Sequence, residues 1–136
     1  MPQPRKQFGQ HWLRSEKALQ RIVEAADLTA IDRVLEIGPG QGVLTRQLID
    51  RAGTVVAVEI DRDLSQLLAK KLGEIENFLL LQGDFLAIDL DALLTDFPQF
   101  QQPNKVVANI PYNITGPILE KLLGTIARPN PRPYDS

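Results

Sequence analysis

The chain has 136 residues, 43% of them apolar, and a formal net charge of -2, which predicts one folded domain of ordinary composition. It contains no cysteine, which excludes a disulfide framework and thiolate chemistry at a metal or a nucleophile. No stretch is apolar for long enough to span a bilayer, and the opening Met-Pro-Gln-Pro-Arg-Lys lacks the apolar core of a signal peptide. We therefore expect a cytoplasmic protein.

The charge is distributed unevenly along the chain. Residues 1–22 carry +4 and the remaining residues about -6. A basic N-terminal arm, residues 1–14, on an otherwise acidic domain favours contact with a phosphate backbone. A solvated helix face explains the same charges, so both interpretations stay open.

Helices and strands alternate in the predicted order of elements. Apolar residues at helical spacing predict helices over residues 15–26, 43–51, 64–72 and 116–123. Short, continuous apolar runs predict strands over residues 34–37, 54–59, 78–82 and 105–108. Ser15 is a candidate N-cap of the first helix, and Gly73 and Gly124 are candidate helix ends. The proline-rich residues 128–136 are predicted to form a loop or linker.

Strands that are apolar throughout and separated by helices indicate parallel strands buried on both faces. The predicted fold is therefore α/β, a doubly wound parallel sheet of the Rossmann-like kind. In such sheets ligands bind beyond the carboxyl ends of the strands. The unusual residues of this chain fall at those ends: Glu36, Gly38, Glu59, Asp84 and Asn109.

The glycine-rich loop after the first predicted strand indicates a nucleoside ligand. Its spacing is G-x-G-x-G over residues 38–42, with Val43 where a dinucleotide fingerprint has its third glycine. Glu59, about 20 positions further on, can accept hydrogen bonds from both ribose hydroxyls of an adenosine. An adenosine-bearing ligand is therefore favoured over a dinucleotide. A nicotinamide oxidoreductase remains the competing class of enzyme.

Two further carboxylates refine the ligand. Asp84 can accept a hydrogen bond from an adenine amino group while a neighbouring apolar side chain covers the ring. Glu36, before the glycines, can help to position an ammonium group. An adenosine with a cationic tail and no phosphates is S-adenosylmethionine, so the loop glycines Gly38 and Gly40 are candidate contacts to that cofactor. The alternative for each carboxylate is a solvated side chain at a strand end.

The tetrapeptide Asn109-Ile110-Pro111-Tyr112 follows the last predicted strand. It supplies a side-chain amide, two backbone carbonyls with no donor between them, and an aromatic face. These groups can hold the exocyclic amino group of a base by its edge and the ring by its face. A strand followed by a proline turn is the simpler interpretation.

Several segments occur in the order found in one known family. The chain resembles the ribosomal RNA adenine N6,N6-dimethyltransferases from Arg5 to about Leu123. The segments that carry the resemblance are Phe8-Gly9-Gln10-His11-Trp12-Leu13, Glu36-Ile37-Gly38-Pro39-Gly40, Val58-Glu59-Ile60-Asp61, Gly83-Asp84 and Asn109-Ile110-Pro111-Tyr112-Asn113-Ile114. The Ile-Gly-Pro-Gly loop and the Lys-x-Phe-Gly-Gln stretch are more similar to members that modify small-subunit RNA.

The resemblance implies methyl transfer from S-adenosylmethionine to the N6 of adenosines in small-subunit ribosomal RNA, giving N6,N6-dimethyladenosine during ribosome biogenesis. It implies a monomer that acts on ribosomal RNA in the small subunit or its precursor, with no metal and no membrane. Cofactor contacts are implied for His11, Leu13, Gly38, Glu59, Asp84 and Asn109, and catalytic contacts for Asn109, Ile110, Pro111 and Tyr112. His11 replaces a common asparagine of the family, and Trp12 a common phenylalanine.

The resemblance also implies a longer protein, because family enzymes continue with three more strands and a small helical domain. We therefore expect the N-terminal portion of such an enzyme, ending after the fourth strand. Residues 1–127 would form the cofactor-binding domain, and residues 128–136 the tail. Three other functions stay open: a large-subunit RNA methyltransferase of the macrolide-resistance type, a DNA adenine methyltransferase, and an RNA-binding ribosome-assembly factor with secondary or lost methylation.

Overall fold

The computed structural model describes residues 16–108 and residue 121. Strands and helices alternate through most of this part of the chain. The elements in chain order are α1 (Glu16–Ala26), β1 (Arg33–Ile37), α2 (Val43–Arg51), β2 (Thr54–Glu59), α3 (Arg62–Leu72), β3 (Phe78–Gln82), α4 (Leu90–Leu93), a 3-10 turn (Pro98–Phe100) and β4 (Lys105–Ala108). No helix in residues 16–108 has the length and apolar character needed to cross a bilayer.

The four strands form one parallel sheet in the order β3-β2-β1-β4. Leu35 on β1 lies opposite Val56 on β2 and Val106 on β4. The chain therefore builds outward from β1 to β3 and then returns to the other side of β1. The predicted Rossmann-like α/β sheet is confirmed, and β4 is an edge strand of the sheet over the described residues.

Both faces of the sheet are covered, because alternate residues of β1 and β2 enter two separate apolar clusters. The first cluster joins the sheet to α2 and α3 through Leu44, Leu48, Leu68 and Leu72, and α1 packs against it. The second cluster lies on the other face and includes Leu35, Val56, Phe85, Leu94 and Phe100. This two-sided burial explains why the strands are apolar throughout.

Helix α3 begins two residues earlier than the sequence pattern predicts. The carboxylate of Asp61 accepts a hydrogen bond from the backbone N–H of Leu64 at 3.0 Å and so caps the helix. The expected helix end at Gly73 is confirmed, although this glycine has right-handed backbone angles with φ -63°. Strand β1 similarly begins at Arg33, one residue before the predicted start.

The connection between β3 and β4 contains two short elements that the sequence pattern does not predict. Helix α4 has four residues and the 3-10 turn has three, so neither is long enough to display a helical repeat of apolar residues. The predicted helix over residues 116–123 lies outside the described residues except for Lys121, as does the candidate N-cap Ser15.

At the amino ends of the strands, a polar network centred on Asp32 joins distant segments. Its carboxylate accepts from the Asn104 amide at 2.8 Å and from the Thr29 N–H at 2.7 Å, and lies 3.0 Å from the Lys105 ammonium. Lys105 also donates to the carbonyl of Ala26 at the end of α1. Helix α1, β1 and β4 are therefore held together at this end of the sheet.

Candidate functional site

The loop from Gly38 to Gly42 connects β1 to α2 at the carboxyl edge of the sheet. Gly38 donates its N–H to the Val58 carbonyl at 2.9 Å, which continues the β1–β2 ladder into the loop. Gly38, Gly40 and Gly42 have φ values of 76°, 59° and 86°. Glycine adopts such angles without steric cost, which explains the G-x-G-x-G spacing.

Two of these glycines have different surroundings. A Cβ atom on Gly42 would lie 2.5 Å from Cδ1 of Leu68, so α3 packs closely against this end of the loop. A Cβ atom on Gly40 would meet no heavy atom within 4 Å. The loop is therefore packed at Gly42 and open at Gly40, so its backbone is accessible to a ligand at Gly40.

Glu59 ends β2, and its side chain is 4% exposed. One carboxylate oxygen accepts from the Gly40 N–H and the other from the Asp61 N–H, both at 2.9 Å. Each carboxylate oxygen has further acceptor capacity. Glu59 thus fixes the glycine loop against the end of β2 and can still accept hydrogen bonds from ligand hydroxyls.

Glu36 lies inside the protein beneath the loop, where its side chain is 1% exposed. The buried hydroxyl of Thr45 on α2 donates to Glu36 Oε1 at 2.6 Å. Burial, against the opposing effect of the Thr45 hydrogen bond and with a smaller contribution from the negative charge of Glu59, raises the pKa of Glu36 to about 7. Glu36 is therefore a carboxyl group at the site whose charge changes near neutral pH.

Asp84 follows β3 and is exposed. The turn that holds it begins where Gly83 donates its N–H to the Glu59 carbonyl at 2.8 Å. One carboxylate oxygen of Asp84 accepts from the Leu86 N–H at 3.0 Å, and its carbonyl accepts from the N–H groups of Ala87 and Ile88. Asp84 therefore closes a compact turn directly beside the end of β2.

These residues lie along the carboxyl edge of the sheet, which includes the place where the strand order reverses. The chain runs from β1 to β3 on one side, and β4 lies on the other side of β1, with Ala108 opposite Ile37. Ligands of doubly wound sheets bind in the crevice at this reversal. Of the predicted site residues, Glu36, Gly38, Gly40, Glu59 and Asp84 lie at the carboxyl edge. His11, Leu13, Asn109, Ile110, Pro111 and Tyr112 lie outside the described residues.

Three residues of interest at this edge carry no clear signal in the sequence. Thr45 is identified only by its contact with Glu36, nine residues away. Ile60 follows Glu59 and is 62% exposed, unusual for an isoleucine next to a buried strand. Lys121 donates to carbonyl groups of the turn after Asp84.

Within the described part of the chain, no group of three or more potential metal ligands occurs.

The strand order and the site together define the Rossmann-like fold of the class I S-adenosylmethionine-dependent methyltransferases. Among solved structures, the 23S rRNA methyltransferase ErmE is 37% identical and superimposes with a TM-score of 0.65, covering 81% of this chain and 41% of that one. A dimethyladenosine transferase from Plasmodium falciparum is 29% identical with a TM-score of 0.67, covering 81% and 37%.

The sequence comparisons are more specific. A family model described as ribosomal RNA adenine dimethylase matches residues 1–133. The ribosomal RNA small subunit methyltransferase A of Nostoc sp. (strain PCC 7120) is 69% identical over all 136 residues, which cover 50% of that protein. The chain belongs to the ribosomal RNA adenine dimethylase family, and it spans about half the length of the curated relatives it matches.

Proposed function

We propose that the protein transfers methyl groups from S-adenosylmethionine to the exocyclic N6 of adenosines in small-subunit ribosomal RNA, giving N6,N6-dimethyladenosine during ribosome biogenesis. The chain would contribute the cofactor-binding part, residues 1–127, with a basic arm over residues 1–14. The observation that carries the proposal is the hydrogen bond from Gly40 N–H to Glu59, which joins the glycine loop to the carboxylate that we propose binds the ribose.

The described residues fit the cofactor. Gly40 leaves its backbone open, Glu59 has free acceptor capacity, and Asp84 is an exposed acceptor on the next strand end. Glu36 is a buried carboxyl group that supplies negative charge for a cationic tail when it is ionised. His11, Leu13, Gly38 and Asn109 complete the proposed cofactor contacts.

In this proposal Asp84 accepts a hydrogen bond from the 6-amino group of the cofactor's adenine. Ile60 would be the apolar side chain that covers the purine ring, because it is exposed and directly follows Glu59 at the end of β2, which neighbours the end of β3. Its carbonyl accepts from the Gln82 amide at 3.0 Å, which fixes the backbone at this position. An apolar side chain that covers the ring, together with a carboxylate at its edge, favours a purine that carries a hydrogen-bond donor.

S-Adenosylmethionine, when bound, supplies a methyl group that is already activated by its sulfonium. The side-chain oxygen of Asn109 and the carbonyl of Ile110 would accept hydrogen bonds from the two N–H groups of the target amino group. Pro111 leaves no competing N–H between these acceptors, and Tyr112 would stack on the extruded base, a contact of about 1–3 kcal/mol. Orientation of the amino nitrogen by these residues supplies most of the acceleration, on the order of 7–11 kcal/mol.

The proposed partner is ribosomal RNA in the small subunit or its precursor. The proposal also includes a cytoplasmic location, a monomeric state, and no use of a metal or a membrane. Relatives named as small-subunit methyltransferases support this substrate. The 37% identity to a 23S rRNA methyltransferase supports large-subunit RNA as the second candidate. A ribosome-assembly role that survives loss of methylation is compatible with the basic arm.

The test uses the full-length protein with unmodified small and large ribosomal subunits and tritiated S-adenosylmethionine. We expect label in small-subunit adenosines, recovered as dimethyladenosine. Glu59→Ala should weaken cofactor binding by about 1.5–3 kcal/mol because hydrogen bonds to a charged group are lost. Asn109→Ala should leave cofactor affinity nearly unchanged but slow methyl transfer by at least about a hundredfold.

Exposed Glu76 on the α3–β3 connection gives a matched control, since Glu76→Ala removes a carboxylate away from the loop. Tritium label found only in large subunits would refute the small-subunit substrate and support large-subunit RNA as the substrate. Unchanged calorimetric affinity in Glu59→Ala would remove Glu59 from the site. A variant of Glu59 that no longer methylates but still binds precursor subunits would support the assembly role.

A further inference from the structure

Lys121 links a late segment of the chain to the turn that follows β3. Its ammonium donates hydrogen bonds to the carbonyls of Phe85 and Ile88, 36 and 33 residues earlier in the sequence. The same nitrogen lies 4.8 Å from the centre of the Phe85 ring, a distance at which a cation is attracted to an aromatic face. Three groups of one short turn therefore surround a single cation.

This turn has no neighbouring strand on its outer side, because β3 is an edge strand over the described residues. Its inner end is fixed by the Gly83 N–H on the Glu59 carbonyl, and Phe85 is buried in the second apolar cluster. The hydrogen bonds within the turn converge on Asp84. Lys121 binds two other carbonyls of this segment, those of Phe85 and Ile88.

Lys121 is half-buried, and its ammonium has partners within the protein. Loss of hydration lowers the pKa of Lys121, and the charges of Asp84 and Asp89 oppose that shift. A cation that gives up hydration must be compensated by the carbonyls, the ring and the two carboxylates around it. Removing the Lys121 ammonium takes away the donor to the carbonyls of Phe85 and Ile88 and the positive charge that acts on Asp84 and Asp89.

We propose that Lys121 is a positioning residue that fixes the turn over residues 84–89 and thereby sets the selectivity of the cofactor site for adenine over other purines. This inference rests on the proposed function, in which Asp84 accepts from the adenine 6-amino group. In this proposal Lys121 acts on Asp84 by holding the turn that carries it, through the carbonyls of Phe85 and Ile88.

The binding experiment compares two ligands in the full-length protein by calorimetry. S-Adenosyl-L-homocysteine carries a 6-amino donor, whereas S-inosyl-L-homocysteine carries a 6-oxo acceptor that Asp84 would repel. We expect the wild-type protein to prefer the adenosyl ligand and Lys121→Met to reduce that preference by about tenfold, the value of one charged hydrogen bond. Lys121→Arg, which retains the charge and the donors, should restore the preference to within about threefold of wild type.

Lys105→Met is a matched control. Lys105 also donates to two backbone carbonyls, those of Ala26 and Asp27, and pairs with a carboxylate, but at the amino end of the sheet. It should lower stability and leave the ratio of the two affinities unchanged. If Lys121→Met does not fold, Lys121→Gln replaces it in the same comparison, with the same expected loss of preference.

A second measurement needs no ligand. In Lys121→Met, hydrogen exchange at the N–H groups of Leu86, Ala87 and Ile88 should be at least about tenfold faster than in wild type, because their turn is no longer fixed. Unchanged exchange, or an unchanged ligand preference in a folded variant, would overturn the role of Lys121. A wild-type protein that binds neither ligand would refute the proposed function, and the exchange result would still decide whether Lys121 orders the turn.

Discussion

Glu36 and Glu59 lie at the ends of neighbouring strands, and their carboxylates have different partners. Glu59 accepts from two backbone N–H groups, whereas Glu36 accepts from the Thr45 hydroxyl. Glu36 is also the more deeply buried of the two. Its pKa near 7 follows from that burial and makes its protonation state sensitive to pH in the physiological range.

We expect Glu36→Gln to change how stability depends on pH. The folded-state pKa of Glu36 is raised from 4.5 to about 7, so between these values the folded protein holds a proton that the unfolded chain has lost. The free energy of unfolding contributed by Glu36 therefore falls as pH rises from about 4.5 to 7. Glu36→Gln should be more stable than wild type at pH 8, by up to about 3 kcal/mol.

Denaturant unfolding of the full-length protein at pH 5 and pH 8 measures this difference. The amide keeps an acceptor for Thr45, so the hydrogen bond is preserved. Glu76→Gln removes an exposed carboxylate and serves as the control, with no change in the shape of the pH profile. If the free energy of unfolding changes by the same amount between pH 5 and pH 8 in wild type and in Glu36→Gln, the raised pKa of Glu36 would be contradicted.

The strand-to-helix connection after β1 is an element with one packed end and one open end. Gly42 precedes α2 with φ 86° and contacts α3 through Leu68, whereas Gly40 has open space beside it. Leu68 is buried and has little freedom to move. The two glycines are therefore required for different reasons. Gly42 allows close packing against α3, and Gly40 leaves the loop backbone accessible to a ligand.

Alanine substitutions should separate these reasons. Gly42→Ala places a Cβ 2.5 Å from Leu68 and also strains the backbone, so we expect a loss of about 2–4 kcal/mol in the free energy of unfolding. Gly40→Ala has only the backbone strain and should cost about 1 kcal/mol. Urea denaturation of both variants measures the difference, and equal losses would refute the distinction between the two positions.

The elements that the sequence predicted well are those with a strong apolar pattern. The bounds of β2, β3, β4 and α2 agree with the structure, because continuous apolar runs and a helical repeat define them. Helix α4 was not predicted, since four residues are too few for a repeat. The candidate site was predicted as strand-end residues, but the Thr45–Glu36 and Lys121 contacts join positions that no local pattern relates.

At the scale of the whole molecule, the Asp32 network connects segments more than 70 residues apart. Hydrogen bonds from Asn104 and Thr29, followed by the hydrogen bond from Lys105 and then its charge, lower the pKa of Asp32 to about 2. The stabilisation from this carboxylate is complete above its ordinary pKa of 3.8 and is lost as pH falls towards about 2. Acid should therefore loosen the amino end of the sheet.

We expect Asp32→Asn to flatten the acid side of the stability profile. Between pH 4 and pH 2 the wild-type free energy of unfolding should fall more steeply than that of the variant, because only wild type loses the ionised acceptor. The measurement is urea unfolding of the full-length protein across this range, with exposed Asp50→Asn on α2 as the control. Identical slopes for wild type and Asp32→Asn would contradict the assigned cause of the low pKa.

The position of β1 between β2 and β4 has a consequence for synthesis of the protein. Leu35 pairs with Val56, which is synthesised 21 residues after it. Leu35 also pairs with Val106, which is synthesised 71 residues after it. At roughly 5–20 residues per second, a ribosome needs about 4–14 s to supply that second neighbour. Throughout this interval the nascent chain presents an unpaired, strongly apolar strand edge, so folding factors that shield such edges should influence its yield more than its final stability.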